Sequence, residues 1–178
     1  VVPYPAGGGI DVMSRLLGQQ LSQRLGQPVV VENKGGAGTI VGASFVANAP
    51  TDGYTLLIAA NNVMSVNPAL YRLGFDPAKD FAPVSLLGTV PIVLVVNPSL
   101  PAKDVAQLVS YAKANPTKLN YASSGTGSPQ HLSAELFNKL AGVRMTHVPY
   151  KGAAPATADV LAGQVQVLFA PINSVLPH

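Results

Sequence analysis

The chain has 178 residues, 48% of them apolar and 11% charged, with a formal net charge of +3. That is enough apolar material for one ordinary domain or two small lobes, and it excludes a disordered chain. Its lysines and arginines are scattered singly, which argues against nucleic acid and a polybasic membrane patch. The lack of cysteine excludes disulfide and thiol chemistry, and His131, His147 and His178 show no metal-ligand spacing.

Strand and helix patterns alternate along the chain, which predicts an α/β fold with a mainly parallel sheet. "VVPYPAGGG" is a short strand running into a glycine loop, and a helix follows with Met13, Leu16, Leu17, Leu21 and Leu25 on one face. It stops at Gly26, with Pro28 beyond it. "PVVVEN" reads as a buried strand, "GTIVGASFVANA" as a small-residue helix, "DGYTLLIAA" as a turn and strand, and "NPALYRL" as a short helix. The uncharged run from Phe81 to Ala102 is long enough to span a membrane. Its prolines at 83, 91, 98 and 101 make it two short buried strands, "PVSLL" and "PIVLVVNP", in a soluble protein.

From Pro98 the pattern restarts. "DVAQLVSYAKANP" is a helix with Val105, Leu108, Val109 and Ala112 inward, and "KLNYASS" a strand. After "GTGSP" comes a helix with Leu132, Leu136, Phe137 and Leu140 on its apolar face. "RMTHVPY" is a strand, "KGAAPATADVLAG" a loop and helix, and "QVQVLFA" a final strand. A break near Val90 to Pro98 gives two lobes, 1–97 and 98–178. The chain does not start with Met and reads as processed or trimmed.

Each half carries a strand–glycine loop–helix junction, "YPAGGGID" in the first and "SSGTGSP" in the second. A helix N-terminus leaves several N–H groups unpaired and carries partial positive charge, so a carboxylate or phosphate is stabilised there. Ala6, Gly7, Gly8 and Gly9 offer amides without steric cover, stiffened by Pro5, and Asp11 either caps the helix or reaches a donor on a ligand. Ser123, Ser124, Thr126 and Ser128 add hydroxyls beside Gly125 and Gly127, and Pro129 suits a first helical turn. Such loops also join strands to helices where nothing binds. On that plainer reading Asp11 is an ordinary cap, His131 a surface residue, His147 a satisfied core histidine and Lys151 solvated.

Two catalytic readings compete. Gly36, Gly38 and Gly42 follow a strand and enter a helix like a dinucleotide loop, but Val41 stands where the third glycine belongs. No acidic residue ends the next strand. No G-x-S-x-G exists for a serine hydrolase. Outside enzymes, a regulatory effector-binding domain of the same general fold needs a DNA-binding segment that this chain lacks.

Several stretches together resemble the Bug or TctC family of extracytoplasmic solute receptors, the binding proteins of tripartite tricarboxylate transport systems. They are "VVPYPAGGGIDVMSRLLGQQLSQRLGQPVVVENKGGAGTIVGA", "DGYTLLIAAN", "NPALY", "DFAPVSLL", "LVVNPSLPAK", "GTGSPQHLSAELF" and "HVPYKGAAPATADVLAGQVQ", in family order over nearly the whole chain. The resemblance implies a periplasmic binding-protein fold, two α/β lobes around a ligand cleft, here truncated at the C-terminus. It implies non-catalytic capture of a small organic carboxylate (a di- or tricarboxylate, acidic amino acid or aromatic acid), with no cofactor and no metal. The partners implied are membrane permease subunits or a sensor protein, and the chain is expected to be a periplasmic monomer. The family loops map onto Tyr4 to Gly9 with Asp11, onto Asn61, Asn62 and Ser65, and onto Ser123 to Ser128 with His131. Lys151 within "YKG" and the segment Ala170 to Asn173 are weaker candidates. Tyr4 replaces a frequent Phe, adding a hydroxyl, and Lys34-Gly35 replaces an Arg-Pro pair.

Overall fold

The computed structural model describes residues 1–178. Contacts divide the chain into two units, Val1–Gly88 and Thr89–His178. The division falls earlier than the expected boundary after residue 97. The strand at 92–96 is the reason, because it hydrogen-bonds within the sheet of the second unit.

In the first unit α1 (Gly9–Leu25) ends as its sequence predicts: Gly26 adopts φ 66° and its N–H donates to Ser22 O. Its buried face differs from the leucine face expected. Asp11, Ser14 and Gly18 are buried, Met13, Leu17 and Leu21 are half-buried, and Leu16 and Leu25 are exposed. The small-residue face lets the helix lie close on Val29–Val31. A Cβ added at Gly18 would sit 3.4 Å from Val31 Cγ2, and Ser22 Oγ accepts the Val29 N–H at 2.8 Å.

The strands expected at "PVVVEN", "DGYTLLIAA" and "PVSLL" do not form a ladder. Val2 makes one parallel bridge to Asn33, and Ile58 N–H donates to Val1 O. Pro3 has no N–H to carry the pattern further. The residues Val84 to Leu87 are exposed and outside any strand. A tight turn (Ala37–Thr39), α2 (Ile40–Ala47), a wide helical turn (Asn62–Val66) and α3 (Asn67–Leu70) complete the unit. They pack around Ala43, Val63 and Phe75, with Phe75 edge-on to Phe81.

The second unit is built on a four-stranded sheet in the order β1-β4-β2-β3, from β1 (Ile92–Val96), β2 (Asn120–Ser123), β3 (Thr146–Pro149) and β4 (Val167–Pro171). β2 runs parallel to β3 and β4, and β1 is antiparallel to β4. Successive residues point to opposite faces, so the sheet has two cores. Tyr121, Val167 and Phe169 pack beneath α4 (Val105–Ala114) and α5 (Pro129–Ala141). Ala122, Leu168 and Ala170 pack with Ala156 and Val160 of α6 (Ala153–Leu161). A short α7 (Ile172–Val175) follows β4. The predicted inward faces hold for Leu108, Val109, Ala112 and Phe137. Val105, at the start of α4, is exposed, and so are Leu132, Leu136 and Leu140, because α5 buries Gln130 and Ala134 instead. No helix is long and apolar enough to cross a membrane.

Candidate functional site

In the first unit the chain leaves Val2 and turns at Tyr4 to Gly8 into the N-terminus of α1. Gly7 has φ 85°, a backbone that favours glycine, and Gly8 has an ordinary extended conformation. The Gly7 N–H is not free: it donates to Asp11 Oδ2 at 2.9 Å. The amides of Ala6, Gly8, Gly9, Ile10 and Asp11 take no acceptor within the chain. A Cβ at Gly7 would meet nothing within 4 Å, and one at Gly8 only Pro5 O at 3.8 Å, so the amides lie open. These unpaired amides stand at a helix start, where partial positive charge favours an anion.

Of the two readings of Asp11, helix cap or ligand contact, the geometry favours the first. Asp11 is buried, and it accepts from Gly7 N–H, from Arg15 Nε at 3.1 Å and from Asn33 Nδ2 at 2.9 Å. The Arg15 guanidinium and the Gly7 amide hold its carboxyl down to about 2. Asn33 also donates to Tyr4 O and accepts from Arg15 Nη2, so Asp11, Arg15 and Asn33 fix the loop from behind. Arg15 is spent on this clamp. The loop presents backbone amides rather than a guanidinium.

Tyr4 and Asn62, predicted separately, are brought together. Tyr4 Oη donates to Asn62 Oδ1 at 2.8 Å and accepts the Ala60 N–H at 3.2 Å, and burial raises the phenol to about 12. The hydroxyl therefore ties the loop to the Asn61–Ser65 segment. Asn62 is buried and donates to Thr39 Oγ1, whereas Asn61 is exposed and Ser65 Oγ donates back to Asn61 O. Asn67, which the sequence did not single out, is fully buried and donates to Gly38 O and Thr39 Oγ1, while its Oδ1 takes no partner.

These asparagines hold the second glycine run. Ala37, Gly38 and Thr39 all have positive φ, and Gly42 is packed so closely that an added Cβ would lie 2.7 Å from both Lys34 O and Pro3 Cβ. Gly36, Gly38 and Gly42 thus serve a tight turn and a close helix approach. The dinucleotide reading of these glycines has no support in that geometry.

In the second unit the three parallel strands end at one edge, the position where open α/β sheets carry ligands. The Ser123–Ser128 loop leaves β2 there. Gly125 N–H donates to Ser123 Oγ, Ser128 N–H to Gly125 O, and Gly127 N–H to His131 Nδ1 at 3.2 Å. Ser124 Oγ donates to Gln130 Oε1, and Ser128 Oγ caps α5 by accepting the His131 N–H. The amides of Ser124, Thr126 and Gln130 take no acceptor within the chain, and Thr126 is exposed. Gly125 has φ 130° and Gly127 φ 79°, which explains the glycines.

His147 is a larger part of this site than the sequence suggested. Tyr121 and His147 are register partners on β2 and β3, and their rings stack at 4.9 Å. His131 stacks on His147 from α5 at 4.1 Å, and His147 Nε2 lies 2.6 Å from Ser123 Oγ. Tyr121 Oη donates to Glu135 Oε1, and burial followed by that carboxylate pushes the phenol up. Burial, and then His131, lowers His147 to about 4, so it is neutral at physiological pH.

Among the weaker candidates, Lys151 is exposed, and its neighbour Tyr150 donates its N–H to Ser123 O beside the loop. Tyr150 Oη donates to Asp159 Oδ2 at 2.7 Å, and burial and that carboxylate raise the phenol to about 12. Ala170 is a correction: it is buried in the core against α6 and cannot line a site with its side chain. Asn173 is exposed at the start of α7, past the same sheet edge. No group of three or more His, Asp or Glu side chains converges to hold a metal ion.

The comparisons bear on what such loops serve. A family model described as the tripartite tricarboxylate transporter family receptor matches residues 13–178. BugT of Bordetella pertussis is 39% identical over 180 residues, covering 100% of this chain and 55% of that protein. An R. palustris protein solved with adipate is 42% identical with a TM-score of 0.95, covering 99% of this chain and 60% of the other. MatC of Rhodopseudomonas palustris with bound malate is 36% identical with a TM-score of 0.91, covering 99% and 60%. The chain spans about half the length of the curated relatives it matches. A family of solute-binding receptors removes the nucleotide-dependent enzyme alternative. The chain belongs to the tripartite tricarboxylate transporter receptor family.

Proposed function

We propose that this chain captures a small organic carboxylate in the periplasm for a membrane permease of the tripartite tricarboxylate type. The observation that carries the reading is chemical. Two strand-to-helix loops expose clustered backbone amides, with hydroxyls in the second, and neither relies on an arginine. Such donors suit the carboxylates of a ligand like the adipate and malate of the related structures. In the first unit the ligand-contacting groups are the open amides of Ala6, Gly8 and Gly9, and in the second those of Ser124 and Thr126 with the Thr126 hydroxyl, with His131 beside them. Asp11 and Tyr4 hold the first loop in place from behind.

The test is calorimetry against adipate, malate, a tricarboxylate, an acidic amino acid and an aromatic acid, with NADP as control. A selective acid response supports the reading, and NADP binding without any acid overturns it. Gly8→Val is the paired variant. Gly8 has φ −79° and ψ 165°, which any residue adopts, and an added Cβ meets nothing closer than 3.8 Å. The variant should fold normally and lose acid binding at least tenfold, a loss of about 1.4 kcal/mol.

A further inference from the structure

Gly127 offers an amide to the second loop, yet that amide is already occupied. Its N–H donates to His131 Nδ1 at 3.2 Å, which requires the neutral ring with its proton on Nε2. A protonated His131 carries a hydrogen on Nδ1 and cannot accept. Protonation therefore releases the Gly127 N–H, and it turns Nδ1 from an acceptor into a charged donor beside it. We propose that His131 makes carboxylate capture proton-coupled: the neutral ring withholds the Gly127 amide, and the protonated ring and that amide together bind the anion. This rests on the reading of Ser124 to Ser128 as a carboxylate-binding loop.

Three titratable groups face this ring. His147 from β3 stacks on it at 4.1 Å, Tyr121 from β2 at 6.4 Å, and Glu135 lies one turn along α5 itself. No lysine or arginine is paired with any of them. His147 is pinned by the Ser123 hydroxyl, and burial keeps it neutral. Glu135, held by the Tyr121 hydroxyl, supplies negative charge on the same side. The sign follows from linkage. The anion binds the protonated form better, so binding takes up a proton and affinity rises as pH falls. The rise is at most about tenfold per pH unit for one coupled proton.

The experiment is calorimetry of the full chain with adipate and with malate, from pH 8 to 5.5, in buffers of different ionisation heat. His131→Gln is the companion variant, and subtracting it cancels the ligand's own titration. We expect an uptake approaching one proton per ligand in the native chain and none in H131Q, with native affinity rising by up to about tenfold per pH unit. Acid binding with equal proton uptake in both proteins overturns the coupling alone. Failure of every acid to bind overturns the receptor reading and the coupling with it. A readout without ligand guards against a misfolded variant: the Gly127 amide resonance should follow the titration of His131. A Gly127 amide that ignores that titration overturns the proposed switch.

Discussion

Replacing Asp11 with Asn should destabilise the first unit and flatten its acid response. All three partners of the carboxylate are donors: the Gly7 amide, Arg15 Nε and Asn33 Nδ2. An amide in its place must turn an NH2 against one of them and loses the charge that strengthens the rest. Lowering a carboxyl from 3.8 to about 2 corresponds to roughly 2 kcal/mol. Arg15 is half exposed, so screening reduces this to about 1–2 kcal/mol. For a unit of this size that is about 5–10 °C in Tm. The folded-state pKa is depressed, so the stabilisation is complete above the ordinary carboxyl value and disappears as pH falls from about 4 through about 2. Thermal melts of native chain and D11N across that range provide the assay. The two curves should be separated at pH 6 and converge near pH 2. Equal stability at pH 6, or parallel curves throughout, would refute the clamp.

Three further variants follow from the same geometry. Gly42→Ala drives a Cβ to 2.7 Å from Lys34 O and Pro3 Cβ, and it should cost about 1–3 kcal/mol by chemical denaturation. Tyr4→Phe leaves Asn62 Oδ1 and the Ala60 N–H without their hydroxyl and should cost about 1 kcal/mol in the same assay. His147 is depressed to about 4 in the fold, so the native chain should lose stability as pH falls from about 6.5 to about 4. H147Q should lack about 1–2 kcal/mol of that loss, since the ring is only partly buried. An unchanged slope in its melts would contradict the assignment.

Much of the candidate site's local structure was legible because its signals are local. Consecutive glycines before a helix, a serine–glycine run before Pro129, and the cap at Ser128 are all contained within a few residues. The alternation of strand and helix likewise located all four strands of the second unit, although β1 was read into the first lobe. What the sequence hid is tertiary. Asp11 reads equally as a cap or a ligand group until Asn33 arrives from another segment with a donor aimed at it. The partnership of Tyr121 and His147 depends on the register of β2 against β3, and local patterning does not encode it. The leucines of α1 misled because a close helix approach to Val29–Val31 selects Ser14 and Gly18 for the buried face. Ala170 belongs to the core because alternation turns it toward α6.

The most direct test of the account is an amide NMR titration of the full chain with malate and with adipate. The account predicts selective shifts for Gly8, Gly9, Ser124, Thr126 and Gly127, with the Gly36 and Gly38 amides unmoved. Saturable shifts confined to Gly36–Gly42, or no shift with either acid, would contradict it.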